Sequence, residues 1–252
     1  MSLRRIRLIR EAFPEPPARD TAVSHAILRQ VSEDLQPETL RLHRPGDIVA
    51  FGPKDRLAPG FGLAIEAARD AGFGSVQRLA GGRAAVFTRE SIAFSWAIPD
   101  PVPRRGIRAR FAELAAIVAG GFQDLGIDAR VGEVPGEYCP GEHSVNARGR
   151  TKLMGVGQRL VQRAAHVGGV VIVDGEARVR DVLVPVYRAL ELDWDPATVG
   201  SLANEIPGLT WEQAEGAILA RFTQAYDLKQ DTLTDPVLDL ATTLEPHHLV
   251  AT

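Results

Sequence analysis

The chain has 252 residues, of which 45% are hydrophobic and 24% charged, and its formal net charge is −3. This suits one globular unit over residues 1–252 with a sizeable core, and excludes a low-complexity or disordered chain. There is no basic footprint for nucleic acid and no apolar run of the ~18 residues that span a membrane, and a lone cysteine excludes an internal disulfide.

In chain order, the basic alternating segment 3–9 predicts a strand, and Pro14, Pro16 and Pro17 break it. Asp20 is the expected N-cap of a helix carrying Ala22, Ile27, Leu28 and Val31. Residues 40–45 and 47–51 predict two strands, and residues 61–71 a helix stopped by Gly72. Residues 75–79 and 84–87 predict strands around Gly81-Gly82, followed by a third at 91–98. Residues 107–125 predict the longest helix, with Phe111, Leu114, Ala115, Val118 and Phe122 on one face. Beyond it come a short strand from Ala129, a Gly/Pro-punctuated loop at 135–141, and strands at 143–147, 152–159 and 168–174. Helices at 179–190 and 210–226 follow, the second capped by Thr210 with Glu212 and Gln213 in its first turn. The weak periodicity of residues 230–252 predicts a loosely packed tail. Strands mixed with segregated helices point to an α+β fold.

Three segments carry side chains suited to chemistry. Arg78-Leu-Ala-Gly-Gly-Arg-Ala-Ala-Val-Phe87 is either a tight hairpin or a place where backbone N–H groups approach a ligand. It is neither a Walker loop nor a dinucleotide fingerprint. Pro135-Gly-Glu-Tyr-Cys-Pro-Gly141 places Cys139 in a loop, where a thiol is either a small packed group or an oriented nucleophile. His143 and Lys152 are its nearest potential helpers. Lys152 opens an alternating strand, facing either solvent or an anion or carbonyl. The six histidines show no metal-ligand spacing, so no metal site is expected. His247 and His248 read as a solvated pair, Trp96, Trp194 and Trp211 as packing residues, and the arginine clusters at 4–7 and 104–110 as solvated faces.

Taken in order, Arg78 to Phe87, the Cys139 loop and Lys152-Leu-Met-Gly-Val-Gly-Gln158 resemble the lipoate-protein ligase and octanoyltransferase superfamily. That superfamily pairs an Arg-x-x-Gly-Gly segment with a later Gly-x-Lys-x-x-Gly-x-x-Gln segment. The resemblance implies a biotin/lipoyl-ligase-like catalytic domain of mainly antiparallel sheets flanked by helices. It also implies acyl transfer. Cys139 and Lys152 would be catalytic. Arg78, Gly81, Gly82, Arg83, His143, Gly155 and Gln158 would contact substrate. An octanoyl or lipoyl group would enter an apolar tunnel beside Gly81-Gly82. Cys139 would take it as a thioester, and Lys152 would donate to its carbonyl. A lysine on a lipoyl carrier domain, such as the glycine cleavage H protein or a 2-oxoacid dehydrogenase acyl-carrier domain, would accept it.

Within the superfamily, ATP-dependent ligases carry Gly-Gly-Gly-x-Val-Tyr-His; here Arg83 replaces the third glycine and Phe87 the tyrosine-like position. The Gly-Arg-Gly-Arg of biotin ligases is absent. The segment Glu137-Tyr-Cys-Pro-Gly141 is similar to transferases that move octanoyl groups between carrier domains. Ser144 stands where the family often has an aspartate, and the turn before Lys152 is one residue longer. No cofactor is then required. An ATP- and Mg-dependent lipoate ligase, or a non-catalytic lipoyl or fatty-acyl binder, are the alternatives. A cytoplasmic setting without a secretion signal is expected from the lone thiol and the N-terminal composition.

Overall fold

Residues 3–250 are described in the computed structural model. In chain order the elements are β1 (Arg4–Ile9), α1 (Arg19–Ser32), β2 (Thr39–His43), β3 (Ile48–Phe51), α2 (Phe61–Asp70), β4 (Gly74–Gln77), β5 (Ala85–Phe87) and β6 (Ser91–Pro99). Then come α3 (Ile107–Asp124), β7 (Ala129–Val131), β8 (Val145–Ala147), β9 (Thr151–Leu160), β10 (Ala164–Ile172) and α4 (Glu176–Ala189). The chain continues with α5 (Leu202–Glu205), α6 (Trp211–Ala225), β11 (Tyr226–Gln230) and α7 (Asp235–Leu244).

Eight strands form one sheet in the order β11-β1-β2-β6-β10-β9-β8-β7, and β4-β3-β5 form a smaller one. The large sheet is antiparallel from β2 through to β7, and β1 pairs parallel with both β2 and β11. This is the mainly antiparallel α+β architecture expected. β6 and β10 are its centre because both are buried on each face, which suits their near-continuous apolar runs.

Alternation along these strands sends side chains to two cores. On one face Trp96 and Phe94 of β6 and Val167 and Val171 of β10 meet Leu114, Val118 and Phe122 of α3 and Ile218 and Phe222 of α6. Trp96 makes edge contacts with Phe222 and Tyr226, each worth about 1 kcal/mol beyond area burial. On the other face, Ala97 and Ala164 lie under α1 and α7. Val170 and Ile172 lie under the small sheet with α2 and α4. The space between β9–β10 and the small sheet is where the site forms.

Several expectations change. Asp20 does not cap α1, which begins at Arg19 after Ala18 without a side-chain cap. Its carboxylate instead accepts from the Phe13 N–H and pairs with the buried Arg41 of β2. The capping box at Thr210 and Gln213 forms as expected. Where the weak periodicity predicts a loose tail, β11 joins the sheet and α7 buries Val237, Ala241 and Leu244 against α1. His248 is buried, bonded to His25 and to the Gln77 carbonyl, and only His247 stays exposed. Arg7 and Arg110 are likewise buried, unlike their clustered neighbours Arg5 and Arg108. Among the described residues no helix is long and apolar enough to cross a membrane.

Candidate active site

Two connections meet over β9: the glycine-rich segment between β4 and β5, and the loop between β7 and β8. Gly82 has φ +119°, a conformation that L side chains rarely adopt. A Cβ there would sit 2.7 Å from Arg78 Nη1 and 2.9 Å from Cys139 Sγ. Glycine is therefore favoured by the backbone, and a side chain here would also have to push aside the ends of Arg78 and Cys139.

Cys139 sits in the left-handed region at φ +42°, which a non-glycine residue keeps only when its surroundings hold it there. The hold is visible. Its backbone N–H donates to Tyr187 Oη at 2.9 Å, and that hydroxyl donates to the Ala84 carbonyl at 2.9 Å. Burial pushes the Tyr187 phenol well above its usual range, so it stays neutral and able to donate and accept at once. One residue of α4 thus ties the cysteine loop to the glycine-rich segment. The thiol is partly exposed and faces two donors, the Arg83 N–H at 3.2 Å and Arg78 Nη1 at 3.4 Å. These donors can hold an anionic sulfur. Arg78 also donates to the Arg83 carbonyl at 2.8 Å. The Arg83 side chain turns away to Asp55, whose carboxyl is raised by burial and opposed by the Gly52 N–H and Arg83.

Lys152 is 1% exposed, so its ammonium must be paired. Its Nζ donates to Glu137 Oε1 at 2.9 Å, to the Tyr138 carbonyl at 2.9 Å and to the Cys139 carbonyl at 2.8 Å. All three of its hydrogens are thereby used within the cysteine loop. Glu137, itself buried, also accepts from the Val134 and Gly141 N–H groups and from Ser144 Oγ. The serine that stands in for the family aspartate therefore braces Glu137.

A cavity of about 610 Å³ opens along these groups, a volume typical of small-molecule sites. Of the predicted residues, Cys139, Lys152, Arg78, Gly81, Gly82, His143, Gly155 and Gln158 all line it. Arg83 alone is off its wall and contributes through its backbone. Phe87, Ala85, Val170 and Phe111 supply apolar surface, and His143 stacks on Phe111 with ring centres 5.1 Å apart. Gln158 is fixed by Arg110 Nε and the Ile107 carbonyl. Glu137, Tyr187 and Asp55 escape the sequence reading. Glu137 has a signal, an acid inside a Pro/Gly loop; Tyr187 and Asp55 have none, since only folding brings them in.

The chain is similar to known proteins in sequence and, separately, in fold. An octanoyl-GcvH:protein N-octanoyltransferase of Oceanobacillus iheyensis is 26% identical over 204 residues, covering 77% of this chain and 72% of the relative. An enzyme of the same description from Exiguobacterium sp. is 30% identical over 128 residues, covering 50% of this chain and 42% of the relative. In fold, the chain is similar to a lipoate protein ligase of T. acidophilum with bound lipoic acid (TM-score 0.74, 20% identity, 98% of this chain and 96% of that one). It is also similar to lipoate-protein ligase A bound with ATP (TM-score 0.77, 19% identity, 98% and 95%). The model of the lipoyl protein ligase A/B catalytic domain matches residues 16–223, and this chain belongs to that family.

Proposed function

We propose that the protein transfers an octanoyl or lipoyl group between lysines of lipoyl carrier domains, the glycine cleavage H protein among them, through a thioester on Cys139. The observation that carries this reading is the thiol itself. It is strained into the cavity wall, partly exposed, and met by the Arg83 N–H and the Arg78 guanidinium. A packing cysteine needs none of this. The description of the Oceanobacillus and Exiguobacterium relatives supports the same substrate class.

In the first step the sulfur attacks the acyl carbonyl carbon of the donor, the S–C bond forms and the C–N bond to the donor lysine breaks. The thiol proton ends on the departing amine. In the second step an acceptor lysine attacks the thioester and the sulfur regains its proton. An amide is exchanged for an amide, so no nucleotide or metal ion is called for. Lys152 holds the loop rigid. It can trade its bond to one loop carbonyl for the oxyanion as that charge develops. The reaction needs a reduced thiol, which fits the cytoplasm.

Intact-mass analysis after incubation with an octanoylated carrier domain tests the reading. Octanoate on Cys139, absent in Cys139→Ser, is expected. An unmodified cysteine in a chain that still transfers would overturn it.

A further inference from the structure

Apart from the acyl cavity, another hollow of about 540 Å³ opens where α1, the end of β4, the end of β9 and the turn at 245–248 meet. Arg29, Arg56, Arg78, Arg159, His25 and His247 line it, and among the described residues no aspartate or glutamate does. Composition does not account for this, because the whole chain carries a net charge of −3.

The groups are close together. Arg56 Nη1 donates to Gln77 Oε1 at 2.6 Å, His248 Nδ1 lies 2.9 Å from the Gln77 carbonyl oxygen, and His25 Nδ1 lies 3.0 Å from His248 Nε2. Burial, then the nearby charge of His248, Arg159, Arg29 and His247, pushes His25 down to about 4. Elsewhere in the fold, buried arginines are spent on carboxylates, as Arg41 is on Asp20 and Arg110 on Asp100. Here they are not. Arg56 and Arg78 bond to Gln77, the Arg83 carbonyl and the Cys139 sulfur, none of them a carboxylate. Arg159 forms no ion pair among the described residues. Arg29 reaches only Glu33, at 3.8 Å between two exposed side chains, a pair worth little.

Like charges gathered in a concave surface repel one another and focus a positive potential into it. An oxyanion relieves that repulsion and accepts several charge-assisted N–H bonds at once. Guanidinium forks match the oxygens of carboxylate and phosphate alike. Four of them line this hollow, more than one carboxylate can accept from, whereas a phosphate offers a second charge and further oxygens. We propose that the hollow is a binding site for a phosphate group, free or carried on a small ester, held chiefly by Arg56, Arg78 and Arg159. Arg78 also lines the acyl cavity, so the two sites share one guanidinium. The phosphate site does not depend on an acyl chain being bound.

Calorimetric titration of the full chain with inorganic phosphate, against acetate at equal ionic strength, tests the site. Phosphate should bind saturably at one equivalent per chain, and acetate at least tenfold more weakly. Arg56→Gln and Arg159→Gln should each weaken phosphate about tenfold, as loss of one charge-assisted bond implies. Both side chains are exposed, so the variants should melt with the wild type in phosphate-free buffer. Arg105→Gln, at an exposed arginine outside the hollow, should change nothing. Glycerol 3-phosphate separates the two sources: tighter binding of the ester assigns the site to an organic phosphate, tighter binding of the free ion to inorganic phosphate. Wild-type protein that shows no saturable phosphate binding, or binds acetate as well as phosphate, would overturn the proposal. So would phosphate binding that neither Arg56→Gln nor Arg159→Gln weakens.

Discussion

The Nζ of Lys152 lies 2.8 Å from the carbonyl oxygen of Cys139, so the amine grips the backbone of the residue whose side chain is the nucleophile. Its remaining hydrogens go to Glu137 and the Tyr138 carbonyl. A lysine in this position has two jobs that mutagenesis can separate. Lys152→Met leaves the Glu137 carboxylate buried without its counter-ion, and should cost about 3–5 kcal/mol in denaturant unfolding. Adding Glu137→Gln removes the stranded charge and should recover most of that loss, while transfer stays ~10²–10³-fold down in both variants because the oxyanion donor is gone. If the double variant is no more stable than the single one, the buried pair is not what holds the loop.

Gly82→Ala attacks the same junction from the other side. The new methyl would meet Cys139 Sγ and Arg78 Nη1 at under 3 Å, on a backbone with φ +119°. Strain of about 1–2 kcal/mol is expected in stability. Acylation of Cys139 should fall by far more, ~10²-fold or greater, because displacing a reacting atom by about 1 Å costs that much. Single-turnover acylation, followed by mass, measures it. An alanine variant that acylates at the normal rate would show that the two loops are not in contact when the enzyme works.

The parts of this site that were legible in the sequence are the local ones. Gly81-Gly82, Cys139 and Lys152 each sit in a short segment whose residue types suggest a turn and leave open a packed or an oriented thiol and a solvent-facing or a buried lysine; the order of the three segments, through the family resemblance, chose between them. What stayed hidden depends on pairing across the chain. Tyr187 is 48 residues from Cys139, and nothing in its helical neighbourhood marks it. Asp20 looks like a cap by position, but β2 brings Arg41 against it and claims the carboxylate. β11 is five residues long and takes its partner from the opposite end of the chain, Arg4 beside Tyr226. No periodicity in a short edge strand could announce a parallel partner that distant.

Tyr187→Phe tests the longest of these connections. It deletes one hydroxyl that serves two backbones, the Cys139 N–H and the Ala84 carbonyl. Both are left buried with no replacement, so a loss of about 1–3 kcal/mol is expected. The thiol also loses the bond that pins its left-handed conformation. Alkylation of Cys139 should therefore become less discriminating between small and bulky reagents, while the rate of enzymatic acylation drops. Unchanged melting and unchanged acylation together would contradict the bridging role.

Glu38 gives the pH prediction. It lies at the foot of β2 where Trp96 Nε1 donates to it at 2.9 Å and Arg4 approaches at 3.1 Å. Burial pushes its carboxyl up to about 7, against the opposing pull of Arg4 and Trp96, with Glu113 adding to the rise. The folded state therefore holds this proton more tightly than the unfolded chain does, where a glutamate titrates near its ordinary value of 4.5. The stability it contributes is full below that value and is lost as pH rises towards 7. Buried His43 and His166 act in the opposite sense, their depressed values costing stability as pH falls below 6.5. Because the two slopes overlap in mild acid, the wild-type profile alone cannot separate them. Glu38→Gln can, since glutamine keeps an acceptor for Trp96 and never ionises. The stability of the variant relative to wild type should climb between about pH 4 and pH 8, by on the order of 3 kcal/mol, and level off above that. Urea melts across that range measure the difference directly. A gap between the two proteins that does not change with pH would mean that Glu38 titrates alike in the folded and unfolded chains, so that Arg4 and Trp96 cancel the effect of its burial.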